Sequence, residues 1–282
     1  MITIFSIPKP FTGSTGMIQR NAIGSWRALG DDVEILLYGN ETGVSNAAAD
    51  YRAVHYPDIK TNEHGTPLVS AAFRSAHGNA RRSILMYANA DIILLPDLVR
   101  ALKRLAQGRF FCVGRRWDLD VGRDIPFEDS AWPDRMRRLI TSSGRLHGYS
   151  GIDYMIFPRD LRIDMPDFAV GRQGWDNWVL WRVKRMGVPI YDCTDAITVV
   201  HQNHDYAHSR YGQKERVGGP ETRKNYRLAG GFSQMLSIRE SDWLFTRTGL
   251  RRLPFRRQLH SFLSRYEWWQ YILSLKRRIN SL

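Results

Sequence analysis

The first two hundred residues of the chain alternate short apolar runs with segments whose apolar residues recur at helical spacing. The run "ITIFSI" precedes the helical pattern "GMIQRNAIGSWRALG", and the run "VEILLYG" comes next. Short apolar runs between helical segments are typical of strands buried on both faces of a parallel sheet. The alternation therefore predicts an α/β domain, and a composition of 43% hydrophobic residues agrees with a folded globular chain.

The alternation continues further along the chain. The run "AVHYP" predicts a strand and "TPLVSAAFRSAHG" a helix, while "SILMYANADIILL" is predicted as one strand across residues 83–95. The helix "PDLVRALKRLAQG" and the strand "RFFCVGRRW" follow, and strands are also expected at "DYMIFP" and "AITVVHQ" around the helix "DNWVLWRVKRMG". Residues 118–151 mix turn residues with a short helical piece, which indicates an insertion over a binding face.

The charge of the chain is strongly positive. Lys and Arg number 41 against 28 Asp and Glu, a formal net charge of +13, and residues 247–282 hold nine basic residues and one acidic residue. Such a surface attracts nucleic acid, anionic lipid or phosphorylated small molecules. Two distant cysteines fit a reducing compartment, and neither a signal peptide at "MITIFSIPKPF" nor a transmembrane run is expected. We therefore expect a cytoplasmic protein.

The stretch "YANADIILLPD", residues 87–97, puts Asn89 and Asp91 between two apolar runs. Asn and Asp are common turn residues, so the pair could simply close a strand. Ligands of open α/β sheets gather at the carboxyl ends of the strands, so the pair could equally belong to a binding site. The stretch alone leaves both interpretations open.

Five ordered motifs carry a more specific signal than any one of them. They are "NADI", "GRRWDLD", "GIDYMIFPR", "GWDNW" and "HQNHDY". The series resembles glycosyltransferases of the GT-A fold, most closely the family-2 type and its bacterial and plant relatives, over residues 1–206. The resemblance implies a Rossmann-like, mostly parallel sheet flanked by helices over residues 1–206, and we predict a helical, basic extension over residues 207–282.

The resemblance also implies a divalent cation, Mn²⁺ or Mg²⁺, bound against the diphosphate of a nucleotide sugar. Asn89 and Asp91 match the family's Asp-x-Asp motif, so Asp91 would be a metal ligand and Asn89 a weaker oxygen donor or a ribose contact. These ions prefer oxygen ligands. His201 matches the histidine that follows the last core strand, and His204 is a second candidate ligand. Alternatively, both histidines make ordinary hydrogen bonds in a polar loop.

Two carboxylates are candidates for the catalytic base. Asp176 in "GWDNW" matches the acidic residue that takes the proton of the acceptor hydroxyl, which implies an inverting reaction; alternatively it caps its helix. Asp153 follows two glycines and competes for the role of base or of sugar-hydroxyl acceptor, or else is a turn residue. Trp175 is expected near the sugar, and Trp178 and Trp181 in the core.

Further residues are predicted around the donor. Pro8, Lys9 and Arg20 lie at or near the end of the first strand, and Arg115 and Arg116 of "GRRWDLD" follow a later strand. The stretch "TNEHGTPLVSAAF" resembles the family's Asn-x-x-Gly helix beside the nucleotide, which implies Asn62 and Gly65. Arginine can pair bidentately with phosphate. Asp118 and Asp120 of "GRRWDLD" are candidates for contacts to sugar hydroxyls.

The tail "LRRLPFRRQLHSFLSRYEWWQYILSLKRRINSL" interleaves basic and aromatic residues, including Phe262, Trp268 and Trp269. Such a helix can lie on an anionic membrane, here the inner face, or pack back on the domain. The function expected is transfer of a sugar from a nucleotide-diphosphate sugar to a glycan or lipid-linked acceptor, as in polysaccharide biosynthesis. The alternatives are a nucleic-acid-binding protein and a metal-dependent hydrolase using "HQNHD", and no specific nucleic acid is expected as a partner.

Overall fold

The computed structural model describes residues 1–105, 108–204, 218–264 and 266. The strands in these ranges are β1 Ile2–Ser6, β2 Val33–Tyr38, β3 Val54–Tyr56, β4 Ile84–Ala88, β5 Ile92–Leu94, β6 Phe111–Val113, β7 Trp117–Leu119, β8 Arg145–Leu146, β9 Tyr154–Pro158, β10 Ile190–Asp192, β11 Val199–Gln202, β12 Trp243–Thr246 and β13 Gly249–Arg252. The α-helices are α1 Gly13–Arg27, α2 Val44–Asp50, α3 Val69–Asn79, α4 Asp97–Arg104, α5 Trp132–Ser143, α6 Trp175–Arg185, α7 Pro220–Leu228 and α8 Phe255–Leu263. Short 3-10 helices cover Phe232–Gln234 and Ile238–Glu240.

Nine strands form the main sheet in the order β13-β12-β10-β6-β9-β4-β1-β2-β3. Strands β3, β2, β1 and β4 are parallel to one another, β9 runs antiparallel between β4 and β6, and β6, β10 and β12 are again parallel. The predicted α/β fold class with a mostly parallel sheet is therefore confirmed. The parallel strands β1 and β4 end at the same edge of the sheet, where ligands bind in such folds.

Both faces of the main sheet are covered, as the continuous apolar runs predict. In β1, Phe5 packs into a core with Phe73 of α3 and Trp175 of α6, whereas Ile4 packs on the opposite face with Ile23 of α1. Successive strand residues point to opposite faces, so an almost fully buried strand needs helices on both sides. The "ITIFSI" run is thus explained by a sheet between two helical layers.

A second sheet, in the order β5-β11-β7-β8, corrects one prediction. Residues 83–95 are not one strand, because β4 ends at Ala88 and β5 begins at Ile92 in the other sheet, where it pairs antiparallel with β11. Helix α5 covers this second sheet with Trp132 and Met136. The three residues between β4 and β5 therefore form the junction of the two sheets.

The described residues from 218 onward include two strands besides their helices. Strand β12 pairs in parallel with β10 and so extends the main sheet, and β13 forms the edge. Buried Lys184 of α6 lies 2.7 Å from the hydroxyl of Ser261 and 3.2 Å from a carboxylate oxygen of Asp242, which anchors α8 to the domain. Trp268 and Trp269 lie outside the described residues. None of the described helices is long and apolar enough to cross a membrane.

Candidate active-site cleft

A cleft of about 1830 Å³ opens where β1 and β4 end. Pro8 and Lys9 line it after β1, and Asn89 and Asp91 line it after β4.

Three predicted ligands meet at the sheet junction. The Nε2 atoms of His201 and His204 lie 3.6 Å and 3.3 Å from the same carboxylate oxygen of Asp91, Oδ2. One potential ligand atom from each residue lies within 4.8 Å of the others. One carboxylate and two imidazoles at this separation could share a metal ion.

The chemical state of these groups also fits a cation. The Oδ1 atom of Asp91 is buried and has no hydrogen-bond partner among the described residues, and an unpaired buried charge is costly. Burial alone raises the pKa of Asp91, but the ammonium of Lys9 and the imidazoles of His201 and His204, when protonated, outweigh it and hold the pKa well below its ordinary value. Burial lowers the pKa of His201. An ionised carboxylate beside a neutral imidazole is the combination that binds metal.

Backbone pairing fixes this arrangement. His201 lies on β11 opposite Ile92 on one side and Asp118 of β7 on the other. Buried Gln202 donates through its backbone N–H and its side chain to the carbonyl oxygen of Asp91, at 3.3 Å and 3.2 Å. The junction that carries Asp91 is thereby tied to the strand that carries His201.

The Nδ1 atom of His201 faces a second carboxylate. It lies 3.7 Å from Oδ1 of Asp118, and it is buried with no hydrogen-bond partner in the part of the chain that the structure describes. Asp118 is buried and accepts from Nε of Arg116 at 3.0 Å. A carboxylate behind an imidazole orients that ring when the other nitrogen binds a metal ion. Asp118 is therefore positioned to orient His201.

Both the oxygen and the nitrogen of the Asn89 side chain make hydrogen bonds within the protein. Its Oδ1 accepts from the hydroxyl of buried Tyr87 at 3.0 Å, and its Nδ2 donates to Oδ1 of Asp153 at 3.0 Å. The other oxygen of Asp153 accepts from Arg116 at 2.5 Å. The amide at position 89 is thus the donor that a carboxylate partner requires, because an aspartate there would face Asp153 with like charge.

The two predicted bases differ in their surroundings. Asp153 is buried, and both carboxylate oxygens accept hydrogen bonds within the protein. Asp176 is partly exposed in the first turn of α6 and lines the cleft. Gly174 precedes α6 with a φ of 100°, a conformation that side chains rarely adopt, so the chain turns sharply into the helix at this point.

The three tryptophans of α6 lie at different depths. Trp175 lines the cleft and packs edge-to-face on Tyr87 with ring centres 5.1 Å apart. Trp178 is buried against Phe168, and Trp181 packs on Trp178. The geometry agrees with the expectation that only Trp175 reaches the cleft.

The residues predicted around the donor divide into two groups. Those that line the cleft are Pro8, Lys9, Gly65, Asn89 and Arg116. Those that do not are Arg20, Asn62 and Arg115. Arg20 lies 3.8 Å from Asp124, and the side chain of Asn62 holds the turn before α3 by accepting from the backbone N–H groups of His64 and Thr66.

Arg115 supports the cleft from behind. Its Nε donates to the carbonyl of His147 at 2.6 Å, and its guanidinium lies 4.6 Å from the ring centre of Tyr149, which lines the cleft. The two arginines of "GRRWDLD" thus have different positions, since Arg116 faces the cleft and Arg115 does not.

Sequence reasoning missed two polar residues that shape the cleft. Gln19 of α1 accepts from the backbone N–H of Lys9 at 2.6 Å and donates to the carbonyl of Lys9 at 2.8 Å, which fixes the loop after β1. The Nδ1 atom of His147 lies within hydrogen-bond distance, 2.9 Å, of Oδ2 of Asp118. A buried polar residue inside a helical apolar pattern was the available signal for Gln19.

No family model and no curated protein matches the chain. Solved structures do match. They include mannosyltransferase PcManGT from Pyrobaculum calidifontis in complex with GDP-Man and Mn²⁺ (14% identity, 74% of this chain and 58% of that chain, TM-score 0.43). Glucosyl-3-phosphoglycerate synthase from Mycobacterium tuberculosis, in complex with Mg²⁺ and UDP, is 16% identical over 82% of this chain and 80% of that chain, with a TM-score of 0.46.

A third match is TarS from S. aureus in complex with UDP-GlcNAc (12% identity, 81% of this chain and 65% of that chain, TM-score 0.47). The chain spans less than two thirds of the matched PcManGT and TarS chains. The likeness of this chain to these three structures is one of overall fold.

The pairing of Asn89 with Asp153 predicts a reciprocal substitution effect. We expect Asn89→Asp to lower the free energy of unfolding by about 1–3 kcal/mol, because a buried hydrogen bond becomes a contact between like charges. Adding Asp153→Asn should restore most of that loss, since an amide again faces a carboxylate. Urea unfolding of the two single variants and the double variant measures both effects.

A matched control comes from Asn203, which donates to Asp120 at 2.8 Å on the exposed surface. Asn203→Asp should change stability by less than about 0.5 kcal/mol, because water screens the two charges. A double variant no more stable than Asn89→Asp would contradict the pairing.

Proposed function

We propose that this protein is a glycosyltransferase that moves a sugar from a nucleotide-diphosphate donor to the hydroxyl of a glycan or lipid-linked acceptor. The observation that carries the proposal is the cluster of Asp91, His201 and His204 at the carboxyl end of β4, with Asp176 lining the same cleft. This cluster lies in a cleft beside the first strand. Neither a nucleic-acid-binding role nor metal-dependent hydrolysis explains that arrangement as well as sugar transfer does.

Asp91, His201 and His204 are the residues that would hold a divalent cation. Such an ion would neutralise the charge on the departing diphosphate of the donor. Lys9 lines the same cleft, and its positive charge helps to lower the pKa of Asp91. Lys9 is therefore suited to bind a diphosphate oxygen, and Gln19 holds its backbone in place.

In the proposed reaction Asp176 is the general base. The acceptor hydroxyl oxygen bonds to the anomeric carbon while the bond from that carbon to the diphosphate oxygen breaks, and the electron pair leaves with the nucleoside diphosphate. The hydroxyl proton passes to the carboxylate of Asp176. A single displacement of this kind inverts the anomeric carbon. Asp153 serves instead to hold Asn89 and Arg116, since both its oxygens are engaged.

The role of Asp176 predicts a separation of binding from turnover. Asp176→Asn should lower release of nucleoside diphosphate from the donor by at least about 100-fold, because proton transfer to a positioned base contributes roughly that much. Donor binding should persist, which a thermal-shift screen of nucleotide sugars with Mn²⁺ measures through stabilisation of the folded state. Asp91→Ala should lose both.

The exposed Asp164 provides the control, since Asp164→Asn removes a similar carboxylate away from the cleft. Its turnover should equal that of the unsubstituted protein. Near-normal turnover by Asp176→Asn would refute the assignment of the base.

The ligand set predicts a preference among cations. Two imidazoles and one carboxylate suit a transition metal better than Mg²⁺, which favours oxygen ligands. We expect tighter binding of Mn²⁺ than of Mg²⁺ by calorimetry, and His204→Ala should weaken Mn²⁺ binding by about tenfold or more. His64, more than half exposed in the same cleft, is the control: His64→Ala should leave Mn²⁺ affinity unchanged. Equal affinities for the two ions would contradict the proposed ligands.

We also propose that α8 contacts an anionic membrane. Its large apolar residues Phe255, Leu259 and Phe262 are exposed at helical spacing, with Phe255 at 78% and Phe262 at 53% exposure. The exposed Arg256 lies among them, and Ser261 anchors the opposite face of the helix to Lys184. An apolar face with adjacent cations is typical of helices that lie in a membrane interface.

The exposed face predicts the outcome of vesicle binding. Replacing both Phe255→Ser and Phe262→Ser should weaken binding to vesicles containing phosphatidylglycerol by about tenfold or more, because two large apolar side chains no longer enter the interface. Sedimentation with vesicles measures the bound fraction. Leu139→Ser, at a 40% exposed position on α5, is the control and should bind normally. Unchanged binding by the double variant would refute the proposed contact.

A further inference from the structure

A second pocket, of about 460 Å³, lies between α4, α5 and the turn that joins β12 to β13. Its described lining residues are Asp97, Arg100, Arg104, Arg137, Ala196 and Arg247. None of these residues also lines the active-site cleft. The pocket is therefore separate from the proposed site of sugar transfer, and its described lining residues include four arginines and one aspartate.

The single carboxylate is already satisfied within the protein. Asp97 is buried, and its Oδ1 accepts from the backbone N–H of Thr198 at 3.1 Å. Its Oδ2 accepts from the hydroxyl of Thr198 at 2.7 Å and from Arg137 at 3.2 Å. Asp97 therefore balances the charge of Arg137, and its carboxylate does not neutralise the other three arginines.

Two of those arginines are held in place by uncharged groups. Arg104 donates to the backbone carbonyl of Arg247 and lies 5.3 Å from the ring centre of Phe245. Arg247 donates through Nε to the backbone carbonyl of Asp195 at 3.1 Å. Carbonyl oxygens and an aromatic face orient a guanidinium without neutralising its charge. The side chain of Asp195 accepts from the backbone N–H of Arg247.

The third of these arginines, Arg100, is exposed at the pocket. Among the described residues, its guanidinium makes neither an ion pair nor a hydrogen bond. A preformed arrangement of guanidinium groups in excess of carboxylates attracts multivalent oxyanions, because each fork can make two charge-assisted hydrogen bonds.

We propose that this pocket binds a phosphate group, either of a soluble phosphate or diphosphate or of a phospholipid headgroup. The arginines of α4 and of the β12–β13 turn supply the donors, and Asp97 with Arg137 forms the fixed wall. The site is independent of the proposed sugar transfer, since it depends on no residue of the cleft.

The test compares Arg100→Gln with Arg138→Gln. Arg138 is an exposed arginine of α5 that does not line the pocket, so both variants remove one surface charge. Calorimetric titration with inorganic phosphate and with pyrophosphate is the soluble arm, and sedimentation with phosphatidylglycerol vesicles, against phosphatidylcholine vesicles, is the lipid arm. We expect about tenfold weaker binding in at least one arm for Arg100→Gln, the loss of a charge-assisted hydrogen bond pair, and no change for Arg138→Gln.

The arm that responds identifies the source of the phosphate. A response to soluble phosphate assigns a small-molecule anion, and a response restricted to phosphatidylglycerol assigns the headgroup. Arg100→Lys should bind with intermediate affinity, because the charge remains and the fork is lost. Equal binding by Arg100→Gln and Arg138→Gln in both arms would overturn the proposal, whatever the outcome for sugar transfer.

Discussion

The buried Oδ1 atom of Asp91, which has no hydrogen-bond partner among the described residues, is the constraint on which the rest of the cleft depends. A carboxylate oxygen removed from water without a hydrogen bond is costly, and a nearby positive charge offsets that cost. Strand β4 of the main sheet ends at Ala88, strand β5 of the second sheet begins at Ile92, and Gln202 donates to the carbonyl of Asp91 between them. The break between the two sheets thus places the carboxylate of Asp91 beside His201, which lies on β11, and His204, which follows β11.

The amide of Asn89 has a physical explanation in the same network. Asp153 needs a hydrogen-bond donor at this position, and Arg116 joins Asp153 to Asp118, which faces His201. In the series from Asn89 through Asp153 and Arg116 to Asp118, hydrogen-bond donors alternate with carboxylates, so no two like charges are in contact. The asparagine that makes "NADI" depart from an Asp-x-Asp motif therefore holds Asp153 in place, and Asp91 alone on this turn is the proposed ligand.

Local patterns predicted the parts of the structure that depend on local properties. The buried strands were found because they are apolar runs, whereas Asp91 and His201 were selected through the resemblance of their motifs and stay predicted ligands. The short helix α2, "VSNAAAD", was missed because it has no apolar stripe, and the three-residue β10 because it is too short to show a period. The split of residues 83–95 was missed because an apolar run does not state which sheet it joins.

Arginines that count equally toward the net positive charge differ in whether a buried carboxylate is paired with them. Arg116 and Arg257 are paired with buried carboxylates and belong to the framework, the latter through Asp192. Arg100 and Arg256 lie on exposed faces where no such carboxylate is paired with them among the described residues. Sequence composition counts all four alike, yet only the second pair contributes an external field. Arg100 and Arg256 thus leave positive charge that no described carboxylate offsets at two surfaces, the pocket beside α4 and the exposed face of α8.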